Sequence, residues 1–475
     1  MRVKRPAFRT CILAGIILLL ALSAWVVFKP GGGNELVAWK MAAVARGEMF
    51  DLAKLTPKFS VECLAHEASF SNAAHRLVTS PLAPGVTDVM GRTNYQSPAN
   101  LAWRRPFPIE KTKFPFSWEE VAVQMATNAP VFVELRELLE HIPPGSARDA
   151  TLGVRMSLGP LISKRRAAQM LTAGAVSDLH QGALAEALDK IHTLLLLSRW
   201  HEGEFTLVDT MIRVAIVGLT VSTTWEALQA PGWDEAKLER LQTGLEGAAI
   251  WPKMERTVVL ERAFGLSAYE MARTNAGGVA PVLAGPAPGS NRFADFFNES
   301  VYAPAWQTAW SQQDELLYLK SMQGIGDAWS QAAHTRSFQA FKKGMEKGAR
   351  DAKARQGLLD RWRFPLADSL LPNWSKAGLV MLRGETMREM ACAAVAIERH
   401  RMRRGVLPEN LQALTPEFLR EPPHDFMNGG PLRYHRGEGG RFTLWSVGED
   451  GRDGEGKPGS DDLVWPEIVP SEMPH

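Results

Sequence analysis

A succession of helix-forming segments between Ser117 and about Ala272 most constrains the fold of this chain. In the clearest segment, apolar residues recur at i, i+4, i+7 and i+11 and share one face of an α-helix: Leu184, Leu188, Ile191 and Leu195. Short stretches containing glycine or proline separate the segments. The pattern therefore predicts a mainly α body of packed helical hairpins, a hairpin stack. No second copy follows at the period of about 34 residues that marks a tetratricopeptide array.

The ends of these helices are predicted from local signals. Ser117 precedes two acidic residues in the order typical of a helix start. Further helices are expected at about 160–180, from 184 to a turn at 201–203, and at 207–228. A fifth helix opens at Asp234. Helices are expected to resume between Tyr302 and Arg355.

Shifts in composition divide the chain into parts. Prolines and aromatic residues alternate without a clear period after Pro57, which indicates an extended segment wrapping the body. A stretch rich in glycine, alanine and proline at 276–291 indicates a loop. The predicted parts are a cytoplasmic stub, transmembrane anchor and glycine hinge (1–33), a juxtamembrane helix and wrapping segment (34–116), the α-helical body (117–372), a C-terminal module (373–466) and a tail (467–475).

The N-terminal segment predicts a membrane anchor. Four basic residues precede an apolar stretch from Cys11 to Phe28, whose roughly eighteen residues are just enough to cross a bilayer as a helix. The basic residues would hold the N-terminus in the cytoplasm and place the rest of the chain outside it. A cleaved signal peptide is the alternative, because Ala21-Leu22-Ser23 offers a small-residue cleavage site. The apolar run continues past that site, so we favour an uncleaved single-pass anchor in a bacterial inner membrane, with the lipid bilayer as a partner.

Charge and cysteine content narrow the function classes. The formal net charge is +2, so no global field favours nucleic acid, and no nucleic-acid partner is predicted. Three cysteines cannot build a disulfide framework. A bridge between Cys63 and Cys392 is one alternative, and two buried thiols without a bridge is the favoured one.

Motifs for enzyme chemistry are absent from the sequence. There is no Walker A sequence, no zinc-protease helix and no complete nucleophile elbow, and no small-molecule substrate is identified. Acidic residues at a predicted turn, Glu202, Glu204 and Asp209, form the one candidate acid–base site in the helical body. A solvated turn is the favoured explanation of Glu202 and Glu204, and an envelope hydrolase with a site here is kept as an alternative function.

The C-terminal module has a different pattern. A helix rich in methionine and alanine is predicted to end near Gly405, and a short helix is predicted from Leu411 to Leu419. Two alternating segments around a glycine-rich turn, 432–435 and 442–446, predict a β-hairpin. The module is therefore expected to be a small α+β fold.

A loop rich in aspartate and glycine follows the hairpin. Asp450 and Asp453 lie in this loop, and Asp461 and Asp462 return to it. Carboxylates that lie so close repel each other unless a cation sits among them, and oxygen ligands at flexible spacing suit Ca²⁺. The alternative is a hydrophilic loop whose aspartates stabilise their own turns.

The C-terminal module resembles the C-terminal part of type II secretion major pseudopilins. The resemblance rests on the helix, the Gly-x-Leu-Pro element, the Asp-x-x-Asn-Gly-Gly-Pro-Leu-Arg-Tyr strand and the Ser-x-Gly-x-Asp-Gly loop ending in Asp-Asp-Leu. It implies a structural calcium ion with Asp450, Asp461 and Asp462 as side-chain ligands, and Asp453 as a possible addition. The family's prepilin leader is absent, and its N-terminal assembly helix is not joined to this module. The remainder resembles uncharacterised membrane-anchored proteins of planctomycete and verrucomicrobial type.

These inferences together favour a non-enzymatic, membrane-anchored extracytoplasmic scaffold. Its helical hairpins and C-terminal module are expected to dock a protein partner of the cell envelope or of secretion. An accessory component of a pilin-like secretion machine is a further alternative.

Overall fold

The computed structural model describes residues 32–80, 82, 102–104, 117–157, 161–200, 206–275, 278–280, 282, 296, 298–353, 360–371, 373–457 and 459–465. Several predictions fall outside the described residues: the anchor, Glu202 and Glu204, most of the wrapping segment, most of the loop at 276–291, and the tail. The prediction of an extended segment after Pro57 is wrong in its described part, because Val61–Arg76 forms an α-helix capped by Ser60.

The described part of the chain is mainly helical, with a small sheet region near the C-terminus, as the sequence predicts. The helices are α1 (Gly33–Ala45), α2 (Leu52–Leu55), α3 (Val61–Arg76), α4 (Trp118–Glu140), α5 (Leu161–His180), α6 (Leu184–Arg199), α7 (Leu207–Leu228), α8 (Glu235–Gly247), α9 (Met254–Thr274), α10 (Ala303–Ala305), α11 (Ser311–Thr335), α12 (Phe338–Lys353), α13 (Asp360–Arg363), α14 (Pro365–Leu370) and α15 (Trp374–Arg404). The strands are β1 (His424–Asp425), β2 (Gly430–Pro431), β3 (Arg433–Arg436), β4 (Phe442–Ser446) and β5 (Leu463–Trp465).

Two compact units are formed from discontinuous parts of the chain. The first comprises Met1–Asp51, Arg262–Gly324 and Gly348–Pro372, and the second comprises Leu52–Glu261, Ile325–Lys347 and Asn373–His475.

Helix α7 lies at the centre of the second unit, where it contacts α5, α6 and α15. It is a described helix long and apolar enough to cross a membrane, but 72% of its most apolar window is buried inside the protein. An all-round apolar helix suits a protein core as well as a bilayer. Here neighbouring helices cover α7, and it is a core helix.

Local capping determines where the main helices of this unit begin and end. Ser117 and Glu120 form a capping box at the start of α4, and Thr206 and Asp209 form another at the start of α7. Helix α15 ends at Gly405, whose φ of 75° is the left-handed conformation that glycine adopts without strain. These boundaries confirm the sequence predictions for the three helices.

The C-terminal sheet confirms the predicted hairpin. Strand β4 pairs antiparallel with β3, with Tyr434 opposite Leu444, and β5 adds to the other side of β4. The predicted helix from Leu411 to Leu419 is wrong in its length, because the structure has only a 3₁₀ turn at Leu411–Leu414. Thr415 is extended there, the conformation that a residue before proline prefers.

The first unit contains α1 and a buried carboxylate at Asp314. The apolar spacing from Glu35 to Leu55 predicts a single juxtamembrane helix, and this prediction is wrong, because α1 ends at Ala45 and α2 begins at Leu52. Gly47 follows α1 with a φ of 88°, a conformation that interrupts a helix.

Asp314 accepts hydrogen bonds from Tyr269, Trp306 and the backbone of α14, and burial raises its pKa to about 7.

Cys63 and Cys392 are both buried and carry no disulfide. The favoured prediction of two buried thiols is therefore confirmed.

Candidate functional site

The acidic loop lies between β4 and β5, and aspartate side chains in it accept hydrogen bonds from its own backbone N–H groups. Asp462 is 3% exposed and accepts hydrogen bonds from the backbone N–H groups of Gly454, at 3.2 Å, and Gly456, at 2.8 Å. The Asp453 carboxylate accepts from the N–H of Glu455 at 2.9 Å. The structure thus brings Asp453 and Asp462 to the same turn, where backbone N–H groups take up part of their acceptor capacity.

Asp453 also has side-chain partners on the sheet. The indole nitrogen of Trp445 donates to its carboxylate at 2.9 Å, and Arg433 Nε donates at 3.4 Å. The Trp445 hydrogen bond is the main reason that the pKa of Asp453 lies below its ordinary value, and Arg433 adds to the effect. Arg433 therefore supplies some of the positive charge that a cation was expected to bring to this loop.

Asp450 and Asp461 are exposed at the edge of the loop. The Asp450 carboxylate accepts the N–H of Arg452 at 2.9 Å, which closes a local turn. The backbone carbonyl of Asp461 faces Gly448, where a Cβ atom would lie 1.8 Å from the oxygen. In the described residues, no three Asp, Glu, His or Cys side chains form a group that would hold a metal ion. The calcium site stays a prediction.

A buried carboxylate at Asp425 organises the strands beside this loop. It is fully buried and accepts from Ser446 Oγ at 2.7 Å and from the N–H of Val447 at 3.1 Å. Arg433 donates to it at 2.7 Å and thereby joins it to Asp453. The sequence places Asp425 in the Asp-x-x-Asn-Gly-Gly motif but does not indicate that its side chain is buried under β4.

The second candidate site surrounds Asp209 at the start of α7. Asp209 is fully buried, and the guanidinium of Arg148 donates two hydrogen bonds of 2.7 Å to its two oxygens. Thr206 donates its hydroxyl at 2.9 Å and its backbone N–H at 3.1 Å. Burial raises the pKa of Asp209, but Arg148, with Lys164 and Thr206, outweighs burial and leaves the pKa below its ordinary value.

Glu261 is the titratable neighbour of Asp209. The N–H of Leu207 donates to its carboxylate at 2.6 Å. Burial, with a smaller contribution from the negative charge of Asp209, raises the pKa of Glu261 to about 7. The sequence does not indicate that Glu261 and Arg148 lie beside Asp209, because Glu261 is 52 residues after it (261 − 209) and Arg148 is 61 residues before it (209 − 148).

Two clefts of the second unit flank helix α8. One, of about 270 Å³, lies against α6 and has a mainly apolar lining that includes Leu188, Leu195 and Leu241 beside Asp189, His192, Lys237 and Arg240. Burial and the charge of Arg240 lower the pKa of His192. The other, of about 360 Å³, has a lining of mixed polarity that includes Trp233, Leu238 and Met402 beside Glu398 and Arg401.

Comparison of the chain with protein-family models, curated proteins and solved structures found no match. The resemblance of the C-terminal module to major pseudopilins therefore stays a prediction.

Proposed function

We propose that this protein is a non-enzymatic scaffold, anchored in a bacterial inner membrane by its N-terminal segment, with its helical body outside the cytoplasm. Its protein partner belongs to the cell envelope or to a secretion apparatus. The C-terminal module is proposed as a pseudopilin-like docking element.

The bonding of Asp209 is the observation that carries the non-enzymatic part of the proposal. The guanidinium of Arg148 donates to both oxygens of Asp209, and the hydroxyl and N–H of Thr206 both donate to Oδ2. The carboxylate is fully buried. A general base has to reach the proton of its substrate. Among the three acidic residues that the sequence nominates, Asp209 is the one that the structure describes, and its carboxylate is closed off from solvent and holds the start of α7.

The clefts beside α8 offer surfaces for docking. The cleft that contains Met402 exposes polar and apolar surface in nearly equal parts, and Met402 is itself 44% exposed. Methionine and arginine are enriched in protein contact sites, and Met402 lies beside Arg401 in this cleft.

Site-specific photocrosslinking in living cells tests the scaffold proposal. A photoreactive residue is placed at Met402 in the full-length chain, and a matched control carries it at the exposed Val61. We expect a discrete heterologous product from position 402 and none from position 61. Equal labelling patterns at the two positions would contradict docking at this cleft.

An envelope hydrolase is the second candidate, because Asp209 and Glu261 have pKa values shifted in opposite directions. A carboxyl whose pKa is about 7 holds a proton that it can donate near neutral pH. Under this alternative, hydrolysis of peptide or ester substrates by the full-length protein would be lost in Glu261→Gln. Our proposal predicts no such activity in either protein.

The calcium prediction is part of the proposal for the C-terminal module. Thermal unfolding of the full-length protein is compared with calcium and with a chelator, for the natural sequence and for Asp450→Ala and Asp461→Ala. The matched control is Glu409→Ala, an exposed carboxylate in the same module. Calcium should raise the melting temperature of the natural protein and of the control, because binding stabilises only the folded state. A chelator without effect on the natural protein would remove calcium from the proposal.

A further inference from the structure

Helix α1 presents an apolar face to its surroundings. Its most exposed large residues, Val37, Met41 and Val44, are 56%, 69% and 59% exposed. Their i, i+4, i+7 spacing places them on one side of the helix. The other exposed positions between Glu35 and Arg46 are alanines. From Val37 to Val44, over about 10 Å of helix, the centre of this face is therefore apolar, with Asn34 exposed at its N-terminal end and Lys40 at its edge.

The opposite face of α1 is fixed within the first unit. Leu36 and Ala43 are buried, and Glu35 accepts a hydrogen bond of 2.6 Å from Lys320. Lys40 forms an ion pair with the buried carboxylate of Glu315. These contacts hold the helix in one rotational setting, so Val37, Met41 and Val44 cannot turn inward without breaking them.

The chain itself places α1 beside a predicted bilayer. The apolar run ends at Phe28, and α1 begins at Gly33, five residues later. Five residues span at most roughly 17 Å, even when fully extended. If the run crosses the membrane, α1 starts within reach of the headgroup layer. A helix lying in that layer buries its apolar side about 5–10 Å deep.

We propose that the face formed by Val37, Met41 and Val44 lies in the interfacial layer of the bilayer that holds the anchor. This inference rests on the proposed membrane anchoring. A second copy of the chain is the competing occupant. Three side chains fall far short of the roughly 800 Å² per partner that a stable interface buries. The contact with lipid would fix how the first unit is oriented toward the membrane.

Nitroxide accessibility in the full-length protein tests the inference. The protein is reconstituted into phosphatidylcholine–phosphatidylglycerol vesicles with Cys11→Ser, and a label is attached to Met41→Cys. The buried Cys63 and Cys392 are shielded from the label. Glu119→Cys, exposed on α4, is the aqueous control, and Leu18→Cys in the apolar run is the lipid reference.

We expect the label at position 41 to collide with oxygen several-fold more, relative to a water-soluble nickel chelate, than the label at position 119. A second outcome is that the protein floats with the vesicles and position 18 lies in lipid, but the ratio of oxygen to nickel-chelate collisions is equal at positions 41 and 119. This outcome would overturn the inference and leave the anchor intact. If the protein does not float, or position 18 is aqueous, the anchoring fails and the inference falls with it. Shielding of position 41 from both reagents, with spin–spin broadening, would assign the face to a second copy and also overturn the inference.

Discussion

Removal of Arg148 is expected to destabilise the second unit severely, because it leaves a buried charge without its partner. Asp209 is fully buried, and two hydrogen bonds of 2.7 Å join it to the guanidinium. Breaking a buried pair by removing one member costs about 3–5 kcal/mol. In Arg148→Met, the buried carboxylate of Asp209 can lose its charge only by taking up a proton. At pH 7 this requires its pKa to rise by roughly three units from about 3.9, which is about 4 kcal/mol. The two estimates agree.

The loss of stability caused by Arg148→Met should become smaller as the pH falls. In the natural protein the folded-state pKa of Asp209 is lowered, so its contribution is complete above the unfolded pKa of about 3.9 and is lost as the pH falls further. In Arg148→Met, burial without the guanidinium raises the folded-state pKa. The variant therefore regains stability as the pH falls from 7 toward 4, by up to about 1.4 kcal/mol per pH unit. The difference between the two proteins narrows in acid.

Urea unfolding of the full-length protein in a mild detergent, at several pH values, measures this difference. Hydrogen exchange of amides in 207–228 reports on α7 locally. The matched control is Arg76→Met, which removes an exposed pair with Glu134 and should cost no more than about 1 kcal/mol. Arg148→Met/Asp209→Asn should recover about 2 kcal/mol of the loss, because no buried carboxylate is left without its guanidinium. Equal costs for Arg148→Met and Arg76→Met, or a cost independent of pH, would refute the reasoning.

Four further predictions concern individual side chains. Glu261, whose folded-state pKa is raised to about 7, favours folding at low pH and loses that contribution as the pH rises through 7, so Glu261→Gln should flatten the urea-measured stability between about pH 4.5 and 8. Gly378→Ala should destabilise by about 1–3 kcal/mol in thermal unfolding, because its Cβ would lie 2.2 Å from a buried phenylalanine ring. Gly324→Ala, with no atom within 4 Å of its Cβ, should instead stabilise by up to about 1 kcal/mol. Cys63 and Cys392 should react with maleimide only after denaturation, as intact-mass measurement would show.

The sequence predicts helix ends well where the signal is local. Ser117 and Gly405 lie at the ends of the helices they determine, so their chemistry can be read within four residues. The sequence does not predict the break after α1, because Gly47 lies inside an apolar pattern that continues on both sides. The partner of Asp209 could not be predicted, because 61 residues separate it from Arg148 and only packing brings them together.

Packing, which the sequence does not show, also distinguishes α7 from α1. Hydropathy alone makes α7 a candidate membrane span, while α1 is short. The burial of the two helices differs in a way that hydropathy does not show, because the burial of each helix depends on its neighbours. Helix α7 is covered by α5, α6 and α15, whereas Val37, Met41 and Val44 of α1 are uncovered in a part of the chain that follows an apolar run. The apolar face of α1 is left uncovered by protein, and the covering that we propose for it is lipid, because the predicted anchor ends five residues before α1 begins.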